Sequence, residues 1–303
     1  MLIGVIGDAT LDVSVGPPGS MSAGDARANI SVGPGGQGAN VAVRLARAGV
    51  HVRLITPLAE DPAGRLVRGH LEAEEVEVHA LAAPRTSVVV VLVAPGGDRT
   101  MLSDRVPAAG DIATPLTGCD WIHVSGYVLR DAAEAERVVD AIRASGVLHV
   151  SVAGGSFEGW ADTGRVRDAI AAVAADLVVF NRDEAALLAG GTIRGAEEAA
   201  AALSTPERLA VVTDGERGAA AAGASLGRTT LRGATARSGP ALDTTGAGDA
   251  FMASLVGSLA PTWPPTADGV AAALEHAAVE GTAATTAIGA QSVSAGDRSE
   301  QGR

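Results

Sequence analysis

The 303-residue sequence contains no lysine, so all 23 of its basic residues are arginines. A Walker A phosphate loop needs Gly-Lys-Ser/Thr and a protein kinase needs its strand lysine; both are excluded. Cys119 is the only cysteine, which rules out an internal disulfide and fits a reducing cytoplasm. Aromatic residues are 2% of the chain, so Ala, Val and Leu must fill the core. No basic block interrupts a net charge of −12, which argues against nucleic acid or an anionic membrane as partner. No apolar run approaches the roughly 18 residues that span a bilayer. Residues 1–8 lack the basic start and long apolar stretch of a secretory signal, so a cytoplasmic location is expected.

What is present suits an α/β protein. Hydrophobic residues are 47% and charged residues 19% of the chain, a balance that allows a sizeable core. Residues 2–6 form an apolar run closed by Gly7-Asp8, which reads as a buried first strand of a parallel sheet. Asp8 and Asp12 then lie at its C-terminal end, where open α/β sheets bind ligands. Strands are expected at 50–56 and 77–81 around a helix at 61–74. From Asp120 onward, strands at 121–125, 147–152, 177–180 and 209–212 alternate with helices at 132–145 and 165–175, as in a doubly wound sheet. Residues 86–94 and 99–103, joined by Pro95-Gly96-Gly97-Asp98, read as a hairpin. Its first strand is apolar on both faces. No repeat or internal boundary divides the chain, so one domain over 1–303 is expected.

The most informative stretch is Asp243-Thr244-Thr245-Gly246-Ala247-Gly248-Asp249-Ala250-Phe251, at the junction of a loop and a long apolar helical run. Small residues there let a ligand approach the backbone, and the N–H groups of the first helical turn favour an anion. An acid would repel that anion. Asp249 makes sense either as the acceptor of a proton from a hydroxyl that attacks phosphate, or as a plain helix cap. A second glycine-rich stretch, Gly33-Pro34-Gly35-Gly36-Gln37-Gly38-Ala39-Asn40-Val41-Ala42, leads into a helix ending at Gly49. Positions 33, 35 and 38 satisfy G-x-G-x-x-G, so a nicotinamide-dependent oxidoreductase must be weighed. Pro34 interrupts the pattern, it does not directly follow the first strand, and Glu60 and Asp61 sit in a Pro-flanked loop where a ribose ligand should end a strand. Asn181-Arg182-Asp183-Glu184 follows a strand and, taken alone, is an ordinary capping box. Thr213-Asp214-Gly215-Glu216-Arg217-Gly218 reads as a glycine-rich turn before a strand at 219–222.

Asp243 to Phe251, D-T-T-G-A-G-D-A-F, resembles the C-terminal signature of the ribokinase-like (PfkB) family of carbohydrate and nucleoside kinases. Gly35 to Ala42 resembles the family's N-terminal G-G-x-x-A-N-x-A, and Asn181-x-x-Glu184 its N-x-x-E motif, all in the family's order. The resemblance implies a three-layer α/β/α fold with a mostly parallel central sheet and a small β lid formed by about 10–33 and 84–103. It makes Asp249 the catalytic base, with Gly246, Ala247 and Gly248 as the anion hole. Asp12, Gly35, Gly36, Gln37 and Asn40 would contact the acceptor. Asn181 and Glu184 would organise Mg²⁺ and its waters beside ATP, and Thr213 and Gly215 would line the nucleotide. Asp243, Thr245 and carbonyls within 287–291 would hold K⁺. His276 would lie near the adenine or on a helix surface, and Arg99 near the acceptor or in solvent. Ribokinases often carry lysine where this chain has Gln37, and many relatives carry an acid where it has Ala153-Gly154-Gly155-Ser156. The doubly apolar strand within 88–93 suggests a homodimer formed through the lid.

Together these readings point to an ATP-dependent sugar kinase acting on a hydroxyl of a small carbohydrate. A nucleoside kinase of the same family, or a non-catalytic sugar- or nucleotide-binding regulator, are the alternatives. Few aromatic rings to stack on a base favour a sugar. Ribose, fructose, 2-keto-3-deoxygluconate and nucleosides are not distinguished at this level.

Overall fold

A computed structural model describes residues 1–16, 27–93, 99–157, 162–191, 193–226, 231–233, 243–286 and 289–291. The N-terminal apolar run forms β1 (Leu2–Ile6), with Ile3 and Val5 in one core cluster and Ile6 in the other. The chain then leaves the main sheet for β2 (Thr10–Val15) and β3 (Ile30–Gly35), makes α1 (Gln37–Arg47), and rejoins the sheet as β4 (His51–Pro57). Helix α2 (Pro62–Ala73) leads to β5 (Glu77–Leu81), after which β6 (Val88–Val93) and β7 (Arg99–Asp104) return to the small sheet. Beyond α3 (Ala113–Leu116) come β8 (Trp121–Val124), α4 (Ala132–Ser145), β9 (Val150–Ala153), α5 (Thr163–Ala172) and β10 (Leu177–Asn181). The remainder is α6 (Arg182–Ala189), α7 (Ala196–Leu203), β11 (Leu209–Thr213), β12 (Ala219–Ala222), β13 (Leu231–Gly233), α8 (Ala247–Leu259) and α9 (Ala267–Ala284).

The main sheet runs β13-β12-β11-β10-β9-β8-β1-β4-β5. All its pairs are parallel except β11–β12 and β12–β13. Helices α1, α2, α8 and α9 cover one face, burying Val41, Leu71, Val256 and Leu274 against Ile3, Leu54 and Val211. Helices α3 to α7 cover the other, with Leu116, Ile142, Ile170 and Leu188 against Ile122, Val178 and Val212. The three layers and the mostly parallel sheet are those expected. Aspartates start several helices: Asp61, Asp131 and Asp162 each accept a first-turn N–H. Left-handed glycines end two helices, α4 at Gly146 and α6 at Gly190.

Strand order reverses between β1 and β8, because the chain builds outward through β4 and β5 before returning to β8. Such a switch point opens a crevice at the C-terminal strand ends. Both glycine-rich stretches lead into helices on that side.

The second sheet has the order β3-β2-β6-β7, with β2 and β6 parallel. It contains the segments expected of a lid. Strand β3 runs on through Gly33, Pro34 and Gly35 of the glycine-rich stretch. It is an edge strand, where a missing proline N–H need not break a ladder. Register places Thr10, Asp12, Ser14 and Ser103 on one face. Val13, Val15, Ile30, Val32, Val90, Leu92 and Leu102 occupy the other. The hairpin turn at 95–98 and the Arg99 side chain lie outside what is described. Among the described residues, no helix is long and apolar enough to cross a membrane.

Candidate active site

At the head of α8, Gly246 adopts φ 76°, and a Cβ there would lie 2.7 Å from the Ala290 Cβ. Glycine is therefore required by conformation and by packing. Gly248 differs, since a Cβ on it would meet nothing within 4 Å. Nothing in the packing demands a glycine there; open space above the first turn is what it leaves. The Ala247 N–H bonds back to the Thr244 carbonyl at 3.3 Å, and the intrahelical ladder begins with Ala250 bonding to the Gly246 carbonyl at 2.9 Å. Gly248 and Asp249 thus contribute first-turn N–H groups that have no carbonyl behind them within the helix. The loop is braced by Asp243, whose Oδ1 accepts the Thr245 N–H at 2.7 Å and whose Oδ2 accepts the Gly289 N–H at 2.9 Å.

Asp249 does not fold back to cap its own helix. It reaches α1, where its Oδ2 accepts an N–H from Asn40 Nδ2 at 2.7 Å, and Gln37 donates to it as well. Its pKa is pushed up to about 6: burial dominates and the Asp8 charge adds, against the opposing Asn40 and Gln37 hydrogen bonds and Arg44. A carboxylate poised there can take a proton near neutral pH.

The residues expected to meet the acceptor cluster around Asp8 and Asp12. Gly35 packs directly on the Asp12 carboxylate, where a Cβ would overlap it. Thr10 Oγ1 donates to Asp12 Oδ1 at 2.6 Å. Burial raises the Asp12 pKa and the Asp8 charge adds to it, while the Thr10 bond and Arg105 oppose. Gly36, at φ 96°, starts α1 against the Asp8 carbonyl. Gln37 accepts from Ser125 Oγ at 2.6 Å, which joins α1 to the end of β8 across the switch point. Arg105, just past β7, donates to Asp8 Oδ2 at 2.7 Å and lies 3.8 Å above the Tyr127 ring. It ties the small sheet to the tip of β1.

A cavity of about 190 Å³ runs from Gln37 and Asp249 to Glu184 and Thr213, passing Tyr127, Gly154 and Gly248. Asn181 and Glu184 form the capping box that the motif alone allows. The Glu184 carboxylate does more: Oε2 accepts the Asn181 N–H at 3.1 Å and Oε1 the Ser156 N–H at 2.8 Å. Burial raises its pKa; those N–H groups and that of Gly155 pull the other way. Gly154 lies so close that a Cβ would overlap Glu184 Oε2. The sequence carries no acid beyond β9, and the Gly154 backbone there lies directly against the Glu184 carboxylate of α6. Thr213 lines the cavity, whereas Gly215, at φ 55°, sits in the turn outside its walls. No three His, Cys, Asp or Glu side chains among the described residues converge as a metal cage.

Other expected positions resolve differently. Asp61, weighed as a ribose ligand, accepts the Gly64 and Thr86 N–H groups and is committed to structure. His276 lies on the exposed face between α8 and α9, beside Ser254, Ser258 and Glu280. Sequence reasoning missed Arg44, Arg105, Tyr127 and the side chain of Gln291, named there only for its carbonyl; none belongs to a recognisable side-chain motif.

The pfkB family carbohydrate kinase pattern matches residues 2–295. A fructokinase of Klebsiella pneumoniae is 32% identical over 313 residues, covering 95% of this chain and 94% of its own. A double mutant of the Vibrio cholerae O395 fructokinase, solved in its fructose-, ADP- and potassium-bound form, has a TM-score of 0.77 at 25% identity, covering 96% and 94% of the two chains. The adenosine kinase of Sinorhizobium meliloti shares the fold, with a TM-score of 0.76 at 19% identity over 99% of each chain. A family pattern that spans nearly the whole length, with a relative 32% identical over nearly all of both chains, has one meaning: the chain belongs to the pfkB family of carbohydrate kinases.

Proposed function

We propose that this kinase phosphorylates a free sugar of the fructose class, with Asp249 as general base. As a carbohydrate kinase of this family it transfers a phosphoryl group from ATP to a sugar hydroxyl. The observation that carries the role of Asp249 is its position: a carboxylate held near pKa 6 in the same cavity as Glu184 and Thr213, on the first turn of α8. The sugar would lie between Asp12, Gly35, Gln37 and Asn40, with one hydroxyl toward Asp249. As that oxygen bonds to the γ-phosphorus, its proton passes to Asp249 and the bond to ADP breaks. First-turn N–H groups at Gly248 and Asp249 would meet the charge on the phosphoryl oxygens. Fructose is favoured over a nucleoside by the identity to fructokinases, and likeness to the adenosine kinase extends to the fold alone.

Glu184 fits Mg²⁺ held through water, because it is a single carboxylate with spare lone pairs facing the cavity, and Mg²⁺ takes few protein ligands. The ion would neutralise phosphate charge. K⁺ fits less of the expected set. The Ala290 and Gln291 carbonyls accept from Arg44 and Arg47 at 2.8 Å each, and a guanidinium repels a second cation. Asp243, Thr245 and the Gly289 carbonyl remain as its ligands, residues 287 and 288 lying outside those described. ATP as donor and a lone buried cysteine suit a cytoplasmic enzyme.

The exposed apolar face of the small sheet supports a homodimer. Ile30, Val32, Leu92 and Leu102 are 64, 55, 38 and 55% exposed on it, whereas the opposite face carries Asp12 beside the buried Val89 and Val91. A second copy's equivalent face would cover them.

The experiment is ATP-dependent ADP release with Mg²⁺ across fructose, ribose, 2-keto-3-deoxygluconate and nucleosides. Release with fructose supports the proposal. Release only with a nucleoside would replace it, and none with any acceptor, while ATP still binds, would favour a regulator.

A further inference from the structure

Asn40 presents an N–H to Asp249, yet an amide can turn by half a revolution and present its oxygen instead. Asn40 alone does not choose, since a protonated Asp249 would bond to that oxygen as readily. The choice is made further along. Asn40 Oδ1 accepts from Gln291 Nε2 at 2.9 Å, and Gln291 Oε1 lies 2.7 Å from His70 Nε2 on α2. Both amides are buried, so water cannot replace a lost partner. The flips are therefore coupled: turning one amide sets oxygen against oxygen, or N–H against N–H, at the next contact.

We propose that Gln291 and His70 are positioning residues for the base, and that they lock the Asn40 amide with its N–H toward Asp249. The chain has a direction, from His70 Nε2–H to Gln291, Gln291 to Asn40, and Asn40 to the carboxylate. Either the neutral ring protonated at Nε2 or the imidazolium can start it. Glu74 Oε1, 3.9 Å from His70 Nε2, favours a proton on that nitrogen. Arg47 holds Glu74 through two hydrogen bonds of 2.8 and 2.6 Å and also donates to the Gln291 carbonyl. The reversed chain would need a lone pair on His70 Nε2 and a protonated Asp249. One orientation thus favours the carboxylate that takes the proton; the other favours the acid that cannot.

The idea rests on Asp249 being the base, and its test separates the two. The charged and titratable groups around Asp249 are Asp8, Arg44 and Tyr127, and around His70 they are Glu74 and Arg47; neutral substitutions at 70 and 291 leave all five in place. His70→Leu removes the first donor, Gln291→Met removes the link, and His70→Gln restores an N–H at the same reach. Loss of one hydrogen bond to a charged group predicts, for His70→Leu and Gln291→Met, an acid limb of the kcat/KM profile raised by about one pH unit. It also predicts about fivefold lower kcat at pH 6, because a base pKa raised from about 6 to about 7 cuts its deprotonated fraction by that factor, with KM for ATP unchanged. His70→Gln should recover most of that loss. His70 is partly exposed, so its variants keep the test valid if Gln291→Met unfolds, which thermal melting would reveal. An acid limb in His70→Leu identical to wild type would overturn the chain, provided Asp249→Asn is inactive. An active Asp249→Asn would instead overturn the base itself.

Discussion

Gly248→Ala should make the protein more stable and the enzyme far worse. Gly248 is the second residue of α8, and its backbone is helical rather than left-handed. A methyl group there would meet no atom within 4 Å. Replacing a helical glycine by alanine removes backbone entropy from the unfolded chain, so stability should rise by about 0.5 kcal/mol. The same methyl would project into the space where the phosphoryl oxygens approach the first-turn N–H groups. Losing a donor of this kind lowers kcat by roughly 10²–10³. Thermal unfolding and initial-rate ADP release on one preparation read both effects. Gly246→Ala, strained at φ 76° and crowded by Ala290, should lower stability as well and serves as the contrast. A Gly248→Ala enzyme with wild-type kcat would refute the claim that a phosphoryl group approaches this backbone.

Three other substitutions test separate parts of the site. Gly154→Ala would drive the Glu184 carboxylate off the Asn181 and Ser156 N–H groups; half-saturating Mg²⁺ should rise about tenfold, measured as Mg²⁺ dependence of ADP release. Because the folded pKa of Asp249 is raised from 3.8 to about 6, its charged form is disfavoured in the fold, and stability falls as pH rises between those values. Asp249→Asn should therefore be more stable than wild type at pH 8, by roughly 2 kcal/mol after allowance for partial exposure, with no such gain at pH 3.5 by chemical denaturation. Val32→Glu with Leu102→Glu should give a monomer in sedimentation where the wild type sediments as a dimer.

The main sheet was legible because parallel strands buried on both faces read as continuous apolar runs, and residues 2–6, 177–180 and 209–212 do. Helix α7 left no expectation: its alanines pack without an apolar–polar period. Strand β9 begins at Val150, three residues later than its apolar run suggests. The motif residues at 35–40, 181–184 and 243–249 were legible as local signatures; Gln37, Asn181, Glu184, Gly248 and Asp249 line one cavity and Asn40 bonds to Asp249 at its wall, whereas Gly215 of the turn motif does not line it. What joins them was not legible. Gln291 meets Asn40 across 251 positions, and Arg105 meets Asp8 across 97. Long-range polar contacts of this kind have no spacing to detect. The close approach of the Glu184 carboxylate to the Gly154 backbone was likewise not legible.

The most direct test is Asp249→Asn, assayed for phosphoryl transfer to the sugar the wild type accepts, with ATP binding measured alongside. Removing a general base predicts a fall in kcat of about 10²–10⁴, with ATP affinity and fold intact. A variant that keeps more than about a tenth of wild-type kcat would contradict the account, because the proton would then leave by another route.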